Sequence, residues 1–312
     1  MKKWLLIIGI ILAAGSVYLF IPAALSISTV VGNKCSLSAA DRHFTDTSQW
    51  DRWWPKNKDG PIREGAAFVY GGYTYTVTDI LYNQVRFRLQ AAGDSLTSGA
   101  MQMIQVDNDS ILMGGECVLA TGYSPWTRIQ RYRRGREIQE NMAEILRAFK
   151  AFTQVGKNIY GVNIVHAMSD DSILVTLSGY TPAYPTTEYI YTLIDTVRKY
   201  VDGKGAVAHN YPMLNVALSG DGRYRTMVAL SVNKQIEDAG RILVKRFVPW
   251  KMIEGDVQGG AHTADKAMRQ LYKFRDDYHL SIMSIPFEFL ITDRRQEPDT
   301  TKWVTRVCAP IS

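Results

Sequence analysis

The sequence predicts an α+β protein: an apolar N-terminal helix followed by two domains of antiparallel strands and amphipathic helices. Three observations lead there. No charge occurs between Lys3 and Lys34. Residues 67–121 read as a run of short alternating strands, closed by a segment with helical periodicity. Residues 156–312 carry the order β-α-β-β twice.

The chain has 312 residues, enough for two domains of about 100–200 residues each. Its 46% apolar and 21% charged content describe a folded protein and exclude a disordered or low-complexity one. The formal charge of +6 is spread along the chain and does not point to nucleic acid. Cys35, Cys117 and Cys308 are far apart and form no metal spacing. They read as buried small apolar residues, or as one long-range disulfide in an oxidising compartment. His43, His166, His209, His262 and His279 are scattered. No Ser-His-Asp set, HExxH or phosphate loop is visible, so no catalytic residue, metal or cofactor is assigned.

Trp4 to Phe20 is an apolar run of 17 residues after Lys2-Lys3. Extended through Ala24 it is long enough to span a bilayer. The lysines place the N-terminus in the cytoplasm and residues 26–312 outside, on a single-pass anchor in the cell membrane over residues 1–25. Trp4 and Tyr18 suit the two interfaces. The alternative is a signal peptide cleaved near Ala24-x-Ser26, leaving a secreted protein.

In residues 26–155, Ile27–Val31 reads as a strand and Ser36–Phe44 as a short helix capped by Ser36. Trp50, Trp53 and Trp54 load a loop with aromatic surface that closes a core or a cavity mouth. Strands follow at Ala67–Tyr70, Tyr73–Leu81, Gln84–Leu89, Ala100–Val106 and Ile111–Thr121. A helix over Gly135–Gln154 shows one stripe of Ile138, Met142, Ile145, Leu146, Phe149 and Phe152. Tyr73, Tyr75, Met101 and Met103 alternate on strands, as core or as cavity lining. Arg128, Arg131, Arg133, Arg134 and Arg136 read as a solvated loop and helix start, or as contacts for anionic headgroups. The W-x-x-W-W-P turn and this element order resemble the START-like, polyketide-cyclase (SRPBCC) fold. That resemblance implies a sheet gripping the long helix around an apolar ligand cavity.

In residues 156–312, strands are expected at Asn158–Val165 and Ser172–Tyr180, joined at Ser169-Asp170-Asp171. A helix over Thr186–Val201 and strands Tyr211–Leu218 and Thr226–Asn233 complete the first half. The second half has Ile242–Val257, broken by Pro249, then a helix over Thr263–Tyr278, Ile285–Thr292 and Trp303–Ile311. Tyr224, Thr226, Val228 and Val232 match Trp303, Thr305, Val307 and Ile311, and Tyr211-Pro212-Met213 matches Ile285-Pro286-Phe287. Such units share one pseudo-symmetric sheet with both helices on one face. In Pro286-Phe287-Glu288-Phe289 the phenylalanines and Glu288 take opposite faces. A lone carboxylate there is a surface acid, or an anion in a pocket awaiting a cation.

Ile159-Tyr160-Gly161, Tyr211-Pro212-Met213, Gly259-Gly260, Pro286-Phe287-Glu288-Phe289 and Pro298-Asp299-Thr300-Thr301-Lys302-Trp303-x-Thr305 resemble the GyrI-like effector-binding domain of bacterial transcription activators, a SOUL-like fold. The resemblance implies a small-molecule binder without evident catalysis. It places Glu288 in the pocket between the halves, facing a hydrophobic or cationic aromatic ligand. Tyr160, Tyr180, Tyr224, Trp250 and Phe287 are the candidate stacking residues. Some proteins with this domain hydrolyse reactive small molecules, which would make Glu288 a general base. A sensor or scaffold that does not bind DNA is the other alternative. The activators carry a helix-turn-helix where this chain has the apolar segment and the START-like domain, so no nucleic acid partner is expected.

Overall fold

The computed structural model describes residues 2–56, 62–91, 94–169 and 171–312. It contains two compact units, Met1–Val155 and Gly156–Ser312.

Helix α1 covers Lys2–Phe20, and β1 already begins at Ala24. The predicted continuation of the helix through Ala24 is therefore absent. Pro22 lacks the N–H that an i→i−4 bond requires and ends the helix. The apolar part, Trp4–Phe20, rises only about 25 Å at ~1.5 Å per residue, under the ~30 Å of a bilayer's hydrocarbon. Among the described residues no helix is long and apolar enough to cross a membrane.

The first unit continues with β1 (Ala24–Asn33), α2 (Leu37–Phe44), a 3-10 turn at Thr47–Arg52, β2 (Arg63–Glu64), β3 (Ala67–Tyr70) and β4 (Tyr73–Leu81). Then come β5 (Gln84–Ala91), β6 (Asp94–Asp107), β7 (Ser110–Ala120) and α3 (Pro125–Thr153). The strands form one antiparallel sheet in the order β1-β7-β6-β5-β4-β3-β2. Helix α3 lies against β1 and β7 and buries the stripe Ile138, Met142, Ile145, Leu146, Phe149 and Phe152. It starts ten residues before the predicted Gly135. Pro125 at the first helical position opens it, and the arginine run forms its first turns instead of a loop. Gly135 then sits against Leu25 and Ile27, where a Cβ would lie 3.4 and 3.5 Å from their side chains.

The tryptophan cluster closes this core. Trp50 and Trp54 stack with centroids 5.1 Å apart, and Phe149 meets Trp53 edge-on at 4.7 Å. Each indole N–H donates to a backbone carbonyl: Trp50 to Phe44 at 2.8 Å, Trp53 to His43 at 3.2 Å and Trp54 to Val69 at 3.1 Å. Their burial thus leaves no donor unpaired. Tyr73, Tyr75, Met101 and Met103 are buried core residues.

The second unit holds α4 (Gly156–Tyr160), β8 (Val165–Ser169), β9 (Ile173–Thr181), α5 (Thr187–Gly203), β10 (Ala208–Leu218) and β11 (Tyr224–Val232). Its second half holds β12 (Leu243–Arg246), β13 (Trp250–Gln258), α6 (Ala261–Asp277), β14 (Phe287–Leu290) and β15 (Val304–Ile311). Where a strand was expected at Asn158–Val165, the chain makes α4 and then β8. Gly161, at φ +73°, ends the helical turn. Asp170 of the expected turn lies outside the described residues.

The duplication shows in the register. Met213 pairs with Ala229 and Leu214 with Val228; in the second half Phe287 pairs with Cys308 and Glu288 with Val307. These pairs occupy matched sequence positions of the two halves. The halves meet where Leu214 pairs with Glu288. The sheet order β12-β9-β11-β10-β14-β15-β13-β8 adds one feature that the sequence did not suggest. The first strand of each half, β8 or β12, pairs at the edge of the other half. Both helices cover one face: α5 buries Ile190, Ile194 and Val197 with Val228 and Leu230, and α6 buries Ala264, Ala267 and Leu271 with Val307 and Ala309. The opposite, open face carries Leu174, Met213, Ala229, Met252, Phe287, Phe289 and Cys308.

All three cysteines are buried, and Cys117 and Cys308 are free thiols. Trp50→Ala is expected to destabilise the first unit by about 3–5 kcal/mol, the range for truncating a fully buried aromatic. Chemical denaturation of the intact chain measures it.

Candidate functional site

Strand alternation decides which side chains can meet a ligand. On the open face, β9, β10, β11 and β14 present Leu174, Met213, Asn215, Met227, Ala229 and Phe287 to a cavity of about 480 Å³. Its other wall comes from the β12–β13 connection, with Phe247, Pro249 and Trp250. Phe247 and Trp250 pack edge-on at 5.2 Å. Pro249 separates β12 from β13 and brings this aromatic pair over the sheet. Lys245 and Lys251 also line the cavity.

Two polar atoms in this apolar wall are buried and have no partner among the described residues: the Trp250 indole nitrogen and Asn215 Oδ1. The Asn215 amide nitrogen is used, donating to the Pro286 carbonyl at 2.9 Å. Both atoms are shielded within the wall itself, and an unmade buried hydrogen bond costs about 1–3 kcal/mol.

A polar pocket of about 440 Å³ adjoins through Met252 and Phe289, and contains Asp171, His209, Asn210, Glu254 and Arg306. Phe289 is 5.1 Å from Phe287, and Met252 follows Trp250 by two on β13. Asn210 Nδ2 donates to Asp171 Oδ2 at 3.2 Å, and His209 Nε2 lies 3.6 Å from Asp171 Oδ1 and 2.9 Å from Ser231 Oγ. Arg306 makes two bonds to Asp256, at 2.6 and 3.0 Å, and reaches Glu254 at 3.4 Å. Burial pushes the Glu254 carboxyl above its ordinary pKa, and the Arg306 charge works against that.

Glu288 points the other way, to the helix-covered face with Leu214 and Val307. Its carboxylate is 3.4 Å from the guanidinium of Arg294, which is 5% exposed. That guanidinium also donates to Thr305 Oγ1 at 3.0 Å and stacks on Trp303 at 4.9 Å. The Arg294 backbone N–H donates to the Tyr191 hydroxyl at 2.9 Å. Burial raises the Glu288 pKa, opposed by Arg294. The cation expected from a ligand is therefore supplied by the chain itself, six residues downstream.

The predicted stacking residues are divided. Phe287 and Trp250 line the open cavity together. Tyr224 packs against Tyr184 at 5.7 Å. Tyr184 senses the Glu288 charge and has its own pKa raised by burial first and by that charge second. Tyr180 is exposed under Arg223. Tyr160 is buried in a structural role, donating to Asp277 Oδ2 at 2.8 Å and meeting Phe274 edge-on. The six do not form one site. Sequence reasoning missed Met213, Met227, Asn215, Asp171, His209, Glu254 and Arg306. Met213 carried a usable signal, because it is the repeat equivalent of Phe287 and must share its face.

No family model matches the chain, and no curated protein matches it. Among solved structures it is similar to the EcmrR C-terminal domain, with 13% identity, 48% of this chain and 98% of that chain covered, and a TM-score of 0.42. A hydrolase from Listeria innocua matches with 12% identity, 48% and 91% coverage and a TM-score of 0.37. SAV2435, solved bound to tetraphenylphosphonium, matches with 14% identity, 48% and 93% coverage and a TM-score of 0.32. Likeness at these scores assigns this chain neither a ligand nor an activity.

Arg294→Ala is expected to destabilise the second unit by about 3–5 kcal/mol at neutral pH, since it strands a buried carboxylate. The Glu288 pKa is already raised in the fold, so its contribution to stability is present at low pH and lost as pH rises through the folded value. Without Arg294 that folded pKa rises further. The deficit should shrink as pH is lowered through the carboxylate range, and urea melts at several pH values test it.

Proposed function

We propose that the second unit binds a small, largely apolar molecule in the open-face cavity, without chemistry on it. The observation that carries this is a preformed cavity of about 480 Å³ with Met213, Met227, Phe247, Trp250 and Phe287 in its walls. Lys245 and Lys251 add polar atoms to its lining. Size and lining match what small-molecule sites require: apolar area for affinity and a few polar atoms for orientation. Glu288 is outside this site, which removes the basis for its use as a general base on a bound substrate.

A lipophilic cation is the second reading, favoured by the Asp171 and Glu254 carboxylates in the adjoining pocket. In this arrangement the apolar body occupies the cavity and the charged end reaches past Met252 and Phe289. For the first unit we propose a START-like helix-grip fold whose interior is filled by the tryptophan cluster. Its part is then structural, and the ligand belongs to the second unit.

The test is a fluorescence and calorimetric titration of the intact chain with a neutral apolar dye and with tetraphenylphosphonium. Ala229→Phe places a ring in the cavity. It is expected to abolish binding of both probes while costing about 1–3 kcal/mol of stability. Glu254→Gln should weaken only the cation, by about tenfold, as expected for losing a charged hydrogen-bond partner. Binding of both probes unchanged in Ala229→Phe contradicts the proposed site.

A further inference from the structure

The first unit has a surface unrelated to that cavity, at the root of α1. Helix α1 exposes large apolar side chains around its length, among them Trp4, Ile10, Leu12, Leu19 and Phe20. Its C-terminal end is fastened to the start of α3. The Tyr18 hydroxyl donates to the Tyr123 carbonyl at 2.5 Å. Arg128 stacks over Tyr18 at 4.4 Å and donates to the Ile21 carbonyl at 2.8 Å and the Gly122 carbonyl at 3.2 Å. Arg128 is 9% exposed and is fully committed to this junction.

Around the junction stand Leu19, Phe20, Tyr123 and Trp126, all exposed, Tyr123 at 95%. Helix α3 is strongly polarised in charge. Pro125–Arg136 contains five arginines and no acid, whereas Glu137, Glu140 and Glu144 follow beyond. Trp126 and Arg133 are seven residues apart and share one helix face. Arg131 and Arg133 lie roughly 8 and 10 Å along the axis from Trp126 at ~1.5 Å per residue, about one Debye length. An apolar helix leads into aromatic rings, and the rings are backed by unopposed positive charge.

We propose that this collar seats on an anionic lipid bilayer. Helix α1 enters the apolar layer, Tyr123 and Trp126 occupy the interface, and Arg131 and Arg133 meet the lipid headgroups. Amphipathic rings favour the headgroup level, where one end is apolar and the other wet. Basic side chains within a Debye length of an anionic surface add attraction, roughly fivefold in affinity each. Apolar exposure of this extent calls for a cover. The arginines make that cover an anionic one. Arg128 holds the helix and the collar in one piece, so both can engage the same surface.

The full chain, delivered from detergent to vesicles of neutral phosphatidylcholine or with added phosphatidylglycerol, tests this by flotation. Wild type should prefer the anionic vesicles, and the preference should fall as salt is raised. The double variant Arg131→Ser with Arg133→Ser should bind anionic vesicles about 25-fold more weakly, by the same per-residue factor, and neutral vesicles as before. Arg133 is exposed and Arg131 half-buried, so a urea melt of the double variant accompanies the flotation and is expected to match wild type. On brominated lipids, Trp126→Phe should lose part of the fluorescence quenching seen in wild type. Binding that ignores lipid charge and both arginines would mean that α1 alone holds the membrane and would overturn the collar. Quenching unchanged in Trp126→Phe, or no binding to either vesicle, would overturn it as well.

Discussion

A residue on a paired strand serves one face of its sheet and not the other. In the second unit both helices lie on one face, so this constraint separates a closed, helix-packed side from an open one. Glu288 falls on the closed side and Phe287 on the open side, although they are neighbours in sequence. On the closed side Glu288 is largely buried, and a buried carboxylate needs a partner. Arg294 provides it, held in turn by Thr305, Trp303 and Tyr191. The Glu288 carboxylate thus has a cationic partner from its own chain. The open side keeps its cavity because no third helix covers it.

The pseudo-symmetry explains where the cavity forms. Met213 and Phe287 are equivalent positions of the two halves, and so are Ala229 and Cys308. All four belong to the open-face core. The halves are joined at the Leu214–Glu288 pair and again by the exchanged edge strands β8 and β12. The exchange makes the two repeats one cooperative sheet. It also places the β12–β13 connection, with Phe247 and Trp250, over the open face of strands from both halves.

Much of the fold was legible in the sequence. Period-two and period-3.6 patterns located most strands and both helices of the second unit, and the repeat alignment identified equivalent positions in its two halves. The errors have physical causes. The arginine-rich start of α3 lacks apolar periodicity, so its first ten residues did not read as helix, although Pro125 marked the start. The extension of α1 through Ala24 ignored Pro22. The edge-strand exchange is a long-range pairing with no local signal. For the candidate site, Phe287 and Trp250 were legible as aromatics beside turns. Strand alternation already put Glu288 and Phe287 on opposite faces, so the two residues that the resemblance joins in one pocket do not share a wall. Asp171, His209, Glu254 and Arg306 come from three separate strands and a loop, and only the folded sheet brings them together.

Fluorotryptophan NMR of the intact chain, with Trp250 and Trp303 assigned by Trp→Phe variants, tests the central claim most directly. Trp250 stands on the open face and Trp303 beside Arg294 on the closed face. A bound apolar probe is expected to shift the Trp250 resonance and leave that of Trp303 in place. A shift confined to Trp303 would put the ligand beside Glu288 and contradict the account.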